Sequence, residues 1–378
     1  MRPPDEQPAR PRVSLVLHKF SRGGSDRVAA YLASGFRDAG MDVELTVLCR
    51  GGEVENYLVD LVDDIPIRYL GRASRSRAWD LVRTLPALVR HLRALRPDAV
   101  VSTANNTALA TAAAVALAGR RGTRLLLKTT NPIASSRHAG LAKALRRWTY
   151  RLAFRRTTAV WTLSADETEE MRAAFPDFRS IFHDVYNPYV TPAMLVETTA
   201  TRQSGKQAIS IARLTAQKRL DRLIAAFARI GDREVRLLIL GEGEDRAQLE
   251  AQADRLHVAE RIAMPGYVAD VAEALHGSSL FVLTSDYEGL PAAVLEAMAA
   301  NCPVLCTDCF PAARSLLGGA EGCGIIETIE PDALARQIVA ALDQPRPTTL
   351  RAVAERYSIE NGVRSHVEAL REALTPAK

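Results

Sequence analysis

Two glutamates, Glu288 and Glu296, bracket a Gly-Leu-Pro turn and a run of small apolar residues in "DYEGLPAAVLEAMAANCPV" (286–304). An apolar strand, "LFVLT" (280–284), runs directly into this stretch. Pro291 suits the first turn of a helix, because the amide it lacks would be unpaired there anyway. Asn301 and Pro303 end that helix. The amides of Gly289 and Leu290 then stand free at a strand end, which is an anion-binding arrangement. Carboxylates do not bind phosphate; they accept hydrogen bonds from hydroxyls. A phosphate subsite between two hydroxyl acceptors suits a ligand with a sugar, a diphosphate and a ribose in a row. Glu288 would hold the sugar and Glu296 the ribose. Taken alone, Glu296 reads better as a solvated helix residue; its neighbours give it the ligand role.

A second segment, "ISIARLTAQKRLDRLI" (209–224), places Arg213 at a strand end and Lys218 at a helix start. Both cations fall over the carboxyl edge of a sheet, where they would neutralise a diphosphate leaving group without a metal. No Asp-x-Asp pair is present to chelate one, and Asp63 and Asp64 are adjacent, a poor chelating pair. No metal and no cofactor is therefore expected. Cys302, Cys306, Cys309 and Cys323 cluster in sequence but lack a paired C-x-x-C knuckle, so they read as buried thiols rather than a zinc site. "ILGEGEDR" (239–246) offers part of a dinucleotide fingerprint, with Arg246 where the third glycine belongs; a nicotinamide or flavin oxidoreductase is a poor rival. Gly23 and Gly24 read as a close backbone approach to ligand, against a flexible turn. His18, at a strand end beside them, and His138, in a Ser- and Arg-rich loop, read more readily as bystanders than as catalysts.

These residues need a scaffold, and the sequence supplies one by alternation. Apolar strands at "RVSLVL" (12–17), "DVELTVL" (42–48), "IPIRYL" (65–70), "DAVVS" (98–102), "RLLLK" (124–128) and "AVWTLS" (159–164) are separated by helical patterns. The first helix takes Ser25 as its N-cap and Gly40 past its end. Leu81, Leu85, Leu88, Leu92 and Leu95 mark one face of another. The pattern restarts after "YNPYVTPAM" (186–194), with strands at "AISIAR", "VRLLIL", "IAMPGY", "LFVLT", "PVLCT" and "CGIIE". Strand–helix alternation means parallel sheets covered on both faces. The reading is α/β: two doubly wound Rossmann-like domains, 1–190 and 191–360, facing across a cleft. Ligands of such sheets sit beyond the carboxyl ends of the strands. Residues 361–378 form a terminal helix, and periodicity does not settle which domain it packs on.

The 378 residues are 47% apolar and 25% charged, ordinary for a globular chain, with no apolar run long enough to span a membrane. The Pro-rich start lacks the apolar core of a secretory signal. With five cysteines, an odd number, this favours reduced thiols in a cytoplasm. Residues 1–187 carry 29 Lys and Arg against 19 Asp and Glu, and the remainder 20 against 25. A basic front half is either a set of solvated helix faces or a surface for an anionic acceptor or membrane. "KALRRWTYRLAFRR" (143–156), with Trp148, Tyr150 and Phe154 among six cations, suits a helix lying peripherally on the inner face of a plasma membrane. No nucleic-acid motif accompanies the charge.

"RLTAQKRLDRLIAAF", "LLILGEGEDRAQLE" and "MPGYVADVAEALHGSSLFVLTSDYEGLPAAVLEAMAANCPVLCTD" together resemble the C-terminal half of glycosyltransferase family 4, of the GT-B fold. The E-x7-E spacing, the Arg and Lys pair and the "EGLP" loop carry the likeness over roughly 205–328; "RGGSDRV" (22–28) resembles the family's Gly-Gly loop. The resemblance implies a retaining hexosyl- or N-acetylhexosaminyltransferase that takes a nucleotide sugar, such as a UDP-sugar, to a glycan or lipid-linked acceptor in polysaccharide or lipopolysaccharide synthesis. It implies that Arg213 and Lys218 bind the diphosphate, Glu288 the donor sugar and Glu296 the ribose, with the base read by backbone around Tyr267 and Val268. Many members carry an acceptor-side histidine after the strand equivalent to "RLLLK"; here Asn131 takes that place, with His138 seven residues on. A non-catalytic nucleotide-sugar binder of the same fold is the other reading.

Overall fold

The computed structural model describes residues 10–20, 24–51, 62–119, 122–134, 140–196 and 206–375. Gly23 and His138 lie outside them. The chain divides into two compact units, one running to Pro188 and including Glu360 onward, the other Tyr189–Ile359.

The first unit holds a seven-stranded parallel sheet in the order β3-β2-β1-β4-β5-β6-β7: β1 Arg12–Leu17, β2 Asp42–Val47, β3 Ile67–Tyr69, β4 Ala99–Ser102, β5 Arg124–Lys128, β6 Ala159–Thr162 and β7 Phe182–Asp184. Every residue of β4 and β6 is buried, as a strand covered on both faces requires. The leucine-faced helix runs Arg77–Leu95 behind a Ser76 cap, with Leu88 and Leu92 in the core. β7 carries too few apolar residues to announce itself and was not foreseen. The first helix, Gly24–Asp38, includes Ser25 in its opening turn instead of using it as a cap.

The second unit holds a six-stranded parallel sheet in the order β10-β9-β8-β11-β12-β13: β8 Gln207–Ile211, β9 Arg236–Leu240, β10 Ile262–Gly266, β11 Leu280–Leu283, β12 Val304–Thr307 and β13 Gly324–Ile326. The order reverses between β8 and β11, so the loops after these two strands diverge and leave a crevice at the sheet's carboxyl edge. The helix Leu220–Phe227 buries Leu220, Leu223, Ile224 and Phe227 against this sheet.

The terminal helix, Ile359–Leu374, lies on the first unit. Glycines permit the contact: a Cβ on Gly362 would stand 2.4 Å from the nitrogen of Pro188, and one on Gly35 would stand 2.2 Å from Val363. His366 of this helix is fully buried and meets Trp161 of β6 edge-on at 5.2 Å.

Candidate active site

The crevice between β8 and β11 gathers the residues whose chemistry opened the sequence. The chain leaves β8 through Ala212 and Arg213, makes one 3-10 turn at Ala216–Lys218, and turns through Arg219 (φ 50°) into the helix Leu220–Phe227. Lys218 therefore ends a 3-10 turn rather than opening the helix. The chain leaves β11 through Thr284–Leu290 to the helix Ala292–Ala299, which Pro291 precedes in extended conformation. Pro291 is the cap and not part of the first turn; its carbonyl accepts the amide of Val294 at 3.1 Å. Asn301, at φ 53°, ends the helix.

These two loops are tied to each other. Asp286 donates its amide to Gln217 (2.9 Å), Gln217 donates its side-chain amide to Tyr287 (2.7 Å), and the Thr284 hydroxyl reaches the carbonyl of Arg219 at 3.0 Å. Arg222 and Arg219 face Asp286 at 2.8 and 3.7 Å. The result is a salt bridge across 70 residues of sequence: Lys218 Nζ lies 2.6 Å from Glu288 Oε1, with side chains 14% and 9% exposed. So little solvent remains that removing either partner would strand a buried charge.

Around this pair are unspent donors. Among the described residues, the amides of Gly289 and Leu290 have no hydrogen-bond partner, whereas that of Glu288 is committed to the carbonyl of Cys309 (2.7 Å). Arg213 is exposed and has no side-chain partner among the described residues. Free amides at a helix start and an unengaged guanidinium are the requirements of an anion site. Glu296 is 4% exposed on the buried face of Ala292–Ala299, so it is not a solvated residue.

The Gly-x-Gly of "LGEGED" also acquires a role. A Cβ on Gly241 (φ +140°) would lie 1.9 Å from the carbonyl oxygen of Ala212, and one on Gly243 would lie 2.1 Å from that of Leu214. Leu214 donates to Glu242 (3.0 Å) and accepts from Asp245 (3.0 Å), so the loop after β9 clamps the backbone on which Arg213 is carried. In the sequence this glycine pair reads as a partial dinucleotide fingerprint and as part of the family 4 resemblance; the structure adds the reason for both glycines, close backbone approach. Arg246 ties Glu242, Glu250 and the Met264 carbonyl into the same edge, and this pairing lowers the Glu242 carboxyl from its usual range. Tyr267 and Val268 follow Gly266, whose carbonyl accepts the amide of Gly241 at 2.8 Å.

In the first unit, Asn131 is exposed after β5; Asn105 clamps its turn, donating to the Asn131 carbonyl (2.6 Å) and accepting the amide of Thr130 (2.9 Å). A cluster that sequence reasoning touched only at His18 stands at the carboxyl edge of β1 and β2. His18, Cys49 and Asp80 bring ligand atoms within 4.8 Å of one another, with His18 Nε2 3.4 Å from Asp80 Oδ2. Burial and Arg77 hold His18 below its ordinary pKa, and burial pushes the Cys49 thiol up. Burial works against the charge of Asp80, but hydrogen bonds from Ser74 and the facing His18 outweigh it and keep the carboxyl low. The number of donors would suit a metal, yet the Arg83 guanidinium stands 3.7 Å from Asp80 and competes with any divalent ion for it. Cys302, Cys306, Cys309 and Cys323 form no such group among the described residues; the first three are buried free thiols.

A family model described as glycosyl transferases group 1 matches residues 196–360, and one described as a glycosyl transferase 4-like domain matches residues 23–181. The chain belongs to the family 4, GT-B glycosyltransferases. Among curated relatives, this glycosyltransferase is 31% identical over 101 residues to the amylovoran biosynthesis glycosyltransferase AmsD of Erwinia amylovora (27% of this chain, 29% of the relative). It is 28% identical over 138 residues to the N-acetylgalactosamine-N,N'-diacetylbacillosaminyl-diphospho-undecaprenol 4-alpha-N-acetylgalactosaminyltransferase of Campylobacter jejuni (36% and 38%). The matched stretch is thus under two-fifths of either relative. Among solved structures, Anabaena Alr3699/HepE in complex with UDP and glucose superposes with a TM-score of 0.77 at 18% identity, over 96% of this chain and 100% of that one. WaaG, a glycosyltransferase involved in lipopolysaccharide biosynthesis, gives 0.73 at 18%, over 97% and 100%. At this identity the glycosyltransferase shares their fold.

Proposed function

We propose that this glycosyltransferase moves a hexosyl or N-acetylhexosaminyl group from a nucleoside diphosphate donor, a UDP-sugar, to a glycan or lipid-linked acceptor in the synthesis of a cell-envelope polysaccharide. The reaction belongs in the cytoplasm, which suits five free thiols. The observation that carries the reading is the desolvated Lys218–Glu288 pair at the switch in strand order, flanked by the free amides of Gly289 and Leu290 and by the unpaired guanidinium of Arg213.

In this reading Lys218, Arg213 and the two amides take the diphosphate, while Glu288 accepts the donor sugar's hydroxyls and Glu296 those of the ribose. Tyr267 and Val268 border the base. The bond from the sugar's anomeric carbon to the phosphate oxygen breaks as the bond to the acceptor oxygen forms on the same face. The acceptor's proton passes to the departing diphosphate, and configuration is retained. Two fixed cations and preorganised amides stabilise the charge that develops on the leaving group, so no metal is required. Asn131 and His138 are assigned to the acceptor side.

The test is turnover of UDP-, GDP- and ADP-sugars against a panel of glycan and lipid-linked acceptors, with and without a chelator, reading the product's anomeric configuration by NMR. Chelator-resistant transfer with retention is expected. Tight donor binding without transfer across the panel would instead make the protein a non-catalytic nucleotide-sugar binder.

A further inference from the structure

The helix Gly140–Phe154 has two apolar faces, and only one is used by the fold. Tyr150, Ala153 and Phe154 are buried; Phe154 packs against Phe175, Phe178 and Phe182 with ring centroids 5.1–5.7 Å apart. On the other side Leu141, Leu145, Trp148 and Leu152 are 85%, 59%, 60% and 52% exposed. Their spacing of four, three and four residues keeps them within about 60° of arc on an α-helix. The sequence reading placed Tyr150 and Phe154 with Trp148 at an interface; the structure gives those two rings to the core and puts three leucines beside Trp148 instead.

Cations stand at the C-terminal end of this stripe. Arg155 and Arg156 are exposed and have no side-chain hydrogen bond or ion pair among the described residues. Arg151 and Arg155 share an open depression with Trp148, Leu152, Phe178 and Asp177, where guanidinium and apolar surface meet. An exposed apolar line is costly in water. Free cations at its end select an anionic partner, and a central tryptophan suits the boundary between headgroup and acyl chain. No helix among the described residues is long and apolar enough to cross a membrane, so the helix would lie on one.

We propose that Leu141, Leu145, Trp148 and Leu152 form a face that inserts into the surface of an anionic phospholipid bilayer, with Arg155 and Arg156 on the headgroup phosphates. This goes beyond the transfer reaction and does not depend on it. The test is co-sedimentation of the full chain with vesicles of neutral phosphatidylcholine, alone or with about 30% phosphatidylglycerol. The parent is expected to bind the anionic vesicles about tenfold more tightly, with most of that preference lost in about 0.5 M salt. In a Trp79→Phe background, Trp148 emission should shift to the blue on binding. Combining Leu145→Ser, Trp148→Ser and Leu152→Ser should abolish binding. Arg155→Glu with Arg156→Glu should remove the preference for anionic lipid. Because all five positions are exposed, both variants should keep the parent's melting temperature and its turnover of nucleotide sugar with a water-soluble acceptor. Equal binding of the serine variant and the parent overturns the proposal. So does a parent that ignores vesicles and self-associates, in sedimentation velocity, through contacts the serine variant loses.

Discussion

At the carboxyl edge of the second unit's sheet, neighbouring loops are bonded through their backbones: Leu214 to Glu242 and Asp245, Gly241 to Gly266, Asp286 to Gln217 and Glu288 to Cys309. At the same edge of the first unit, backbone bonds also join the loops, Cys49 to the His18 carbonyl and Arg50 to that of Gly71, both at 2.8 Å, and side chains add to them. Asp80 takes the Ser74 amide at 2.9 Å, His18 faces Asp80, and Asn105 clamps the turn at Asn131. Backbone-to-backbone packing admits few residues at each step, since Gly241 and Gly243 have no room for a Cβ. Side-chain packing can be achieved by many combinations. The carboxyl edge of the second unit's sheet is therefore the more tightly constrained at its glycines.

The largest expected effect breaks that edge at its charge pair. Lys218→Ala and Glu288→Gln should each lower sugar transfer by about 100–1000-fold. Because the two side chains share one bond, the double variant should lose far less than the product of the singles. Additive losses, measured as kcat/KM, would mean the pair does not act as a unit.

Gly243→Ala tests the backbone clamp without touching a charged group. Its Cβ would fall 2.1 Å from the Leu214 oxygen, so the loop carrying Arg213 must shift. A stability loss of about 1–3 kcal/mol is expected, with donor affinity falling about tenfold by calorimetry through loss of one charge-assisted contact. Alanine at Gly231, where a Cβ meets nothing within 4 Å, is the control.

The terminal helix gives the first unit a pH dependence, and His276, lowered by burial and by Arg346 and Arg351, adds one of the same sense in the second. His366 is fully buried; its Nδ1–H donates to the Gly362 carbonyl at 2.8 Å. Burial, with the charge of Lys128 added, pushes its pKa down to about 3. The folded pKa lies below the unfolded value, so below about pH 6.5 the unfolded chain binds a proton that the fold refuses, and stability falls as pH falls. The slope should be about 1.4 kcal/mol per pH unit for this one group. Lys128, lowered by burial to about 7 against the opposing pull of Glu167, acts in the same sense higher up: stability rises with pH from about 7 toward its unfolded value. Urea unfolding between pH 6.5 and 4.5 should show one proton less of pH dependence in His366→Leu than in the parent.

The smallest effect sharpens the contrast from the other side. Asp80→Asn should leave nucleotide-sugar affinity within about twofold and lower transfer by about tenfold, the range of a lost positioning contact. Equal losses in donor binding would place Asp80 with the donor machinery.

Legibility followed the same division. The strands were readable because fully buried parallel strands are nearly continuous apolar runs; β7, only three residues long with two of them exposed, was not. The turn and helix of segment 286–304 were readable because Gly and Pro stand where a turn and a helix start demand them. The trio His18, Cys49 and Asp80 was not, because its members come from three separated elements and no spacing joins them. Gly241 and Gly243 were visible in the resemblance, but their physical reason was not: only the neighbouring strand's loop, some thirty residues earlier, explains them.

The amino-acid order by itself determined the alternation of strands and helices, the two parallel sheets and the residue types at the carboxyl edge of the second sheet, since these depend on local propensity and short-range periodicity. Tertiary structure alone decided that Lys218 closes on Glu288 from 70 positions away, that Ile359–Leu374 seals the first unit, and that Tyr150 and Phe154 turn inward while Leu145 and Trp148 turn out. A helix with apolar residues on two sides carries no local instruction about which side is to be covered; the partner surface supplies it.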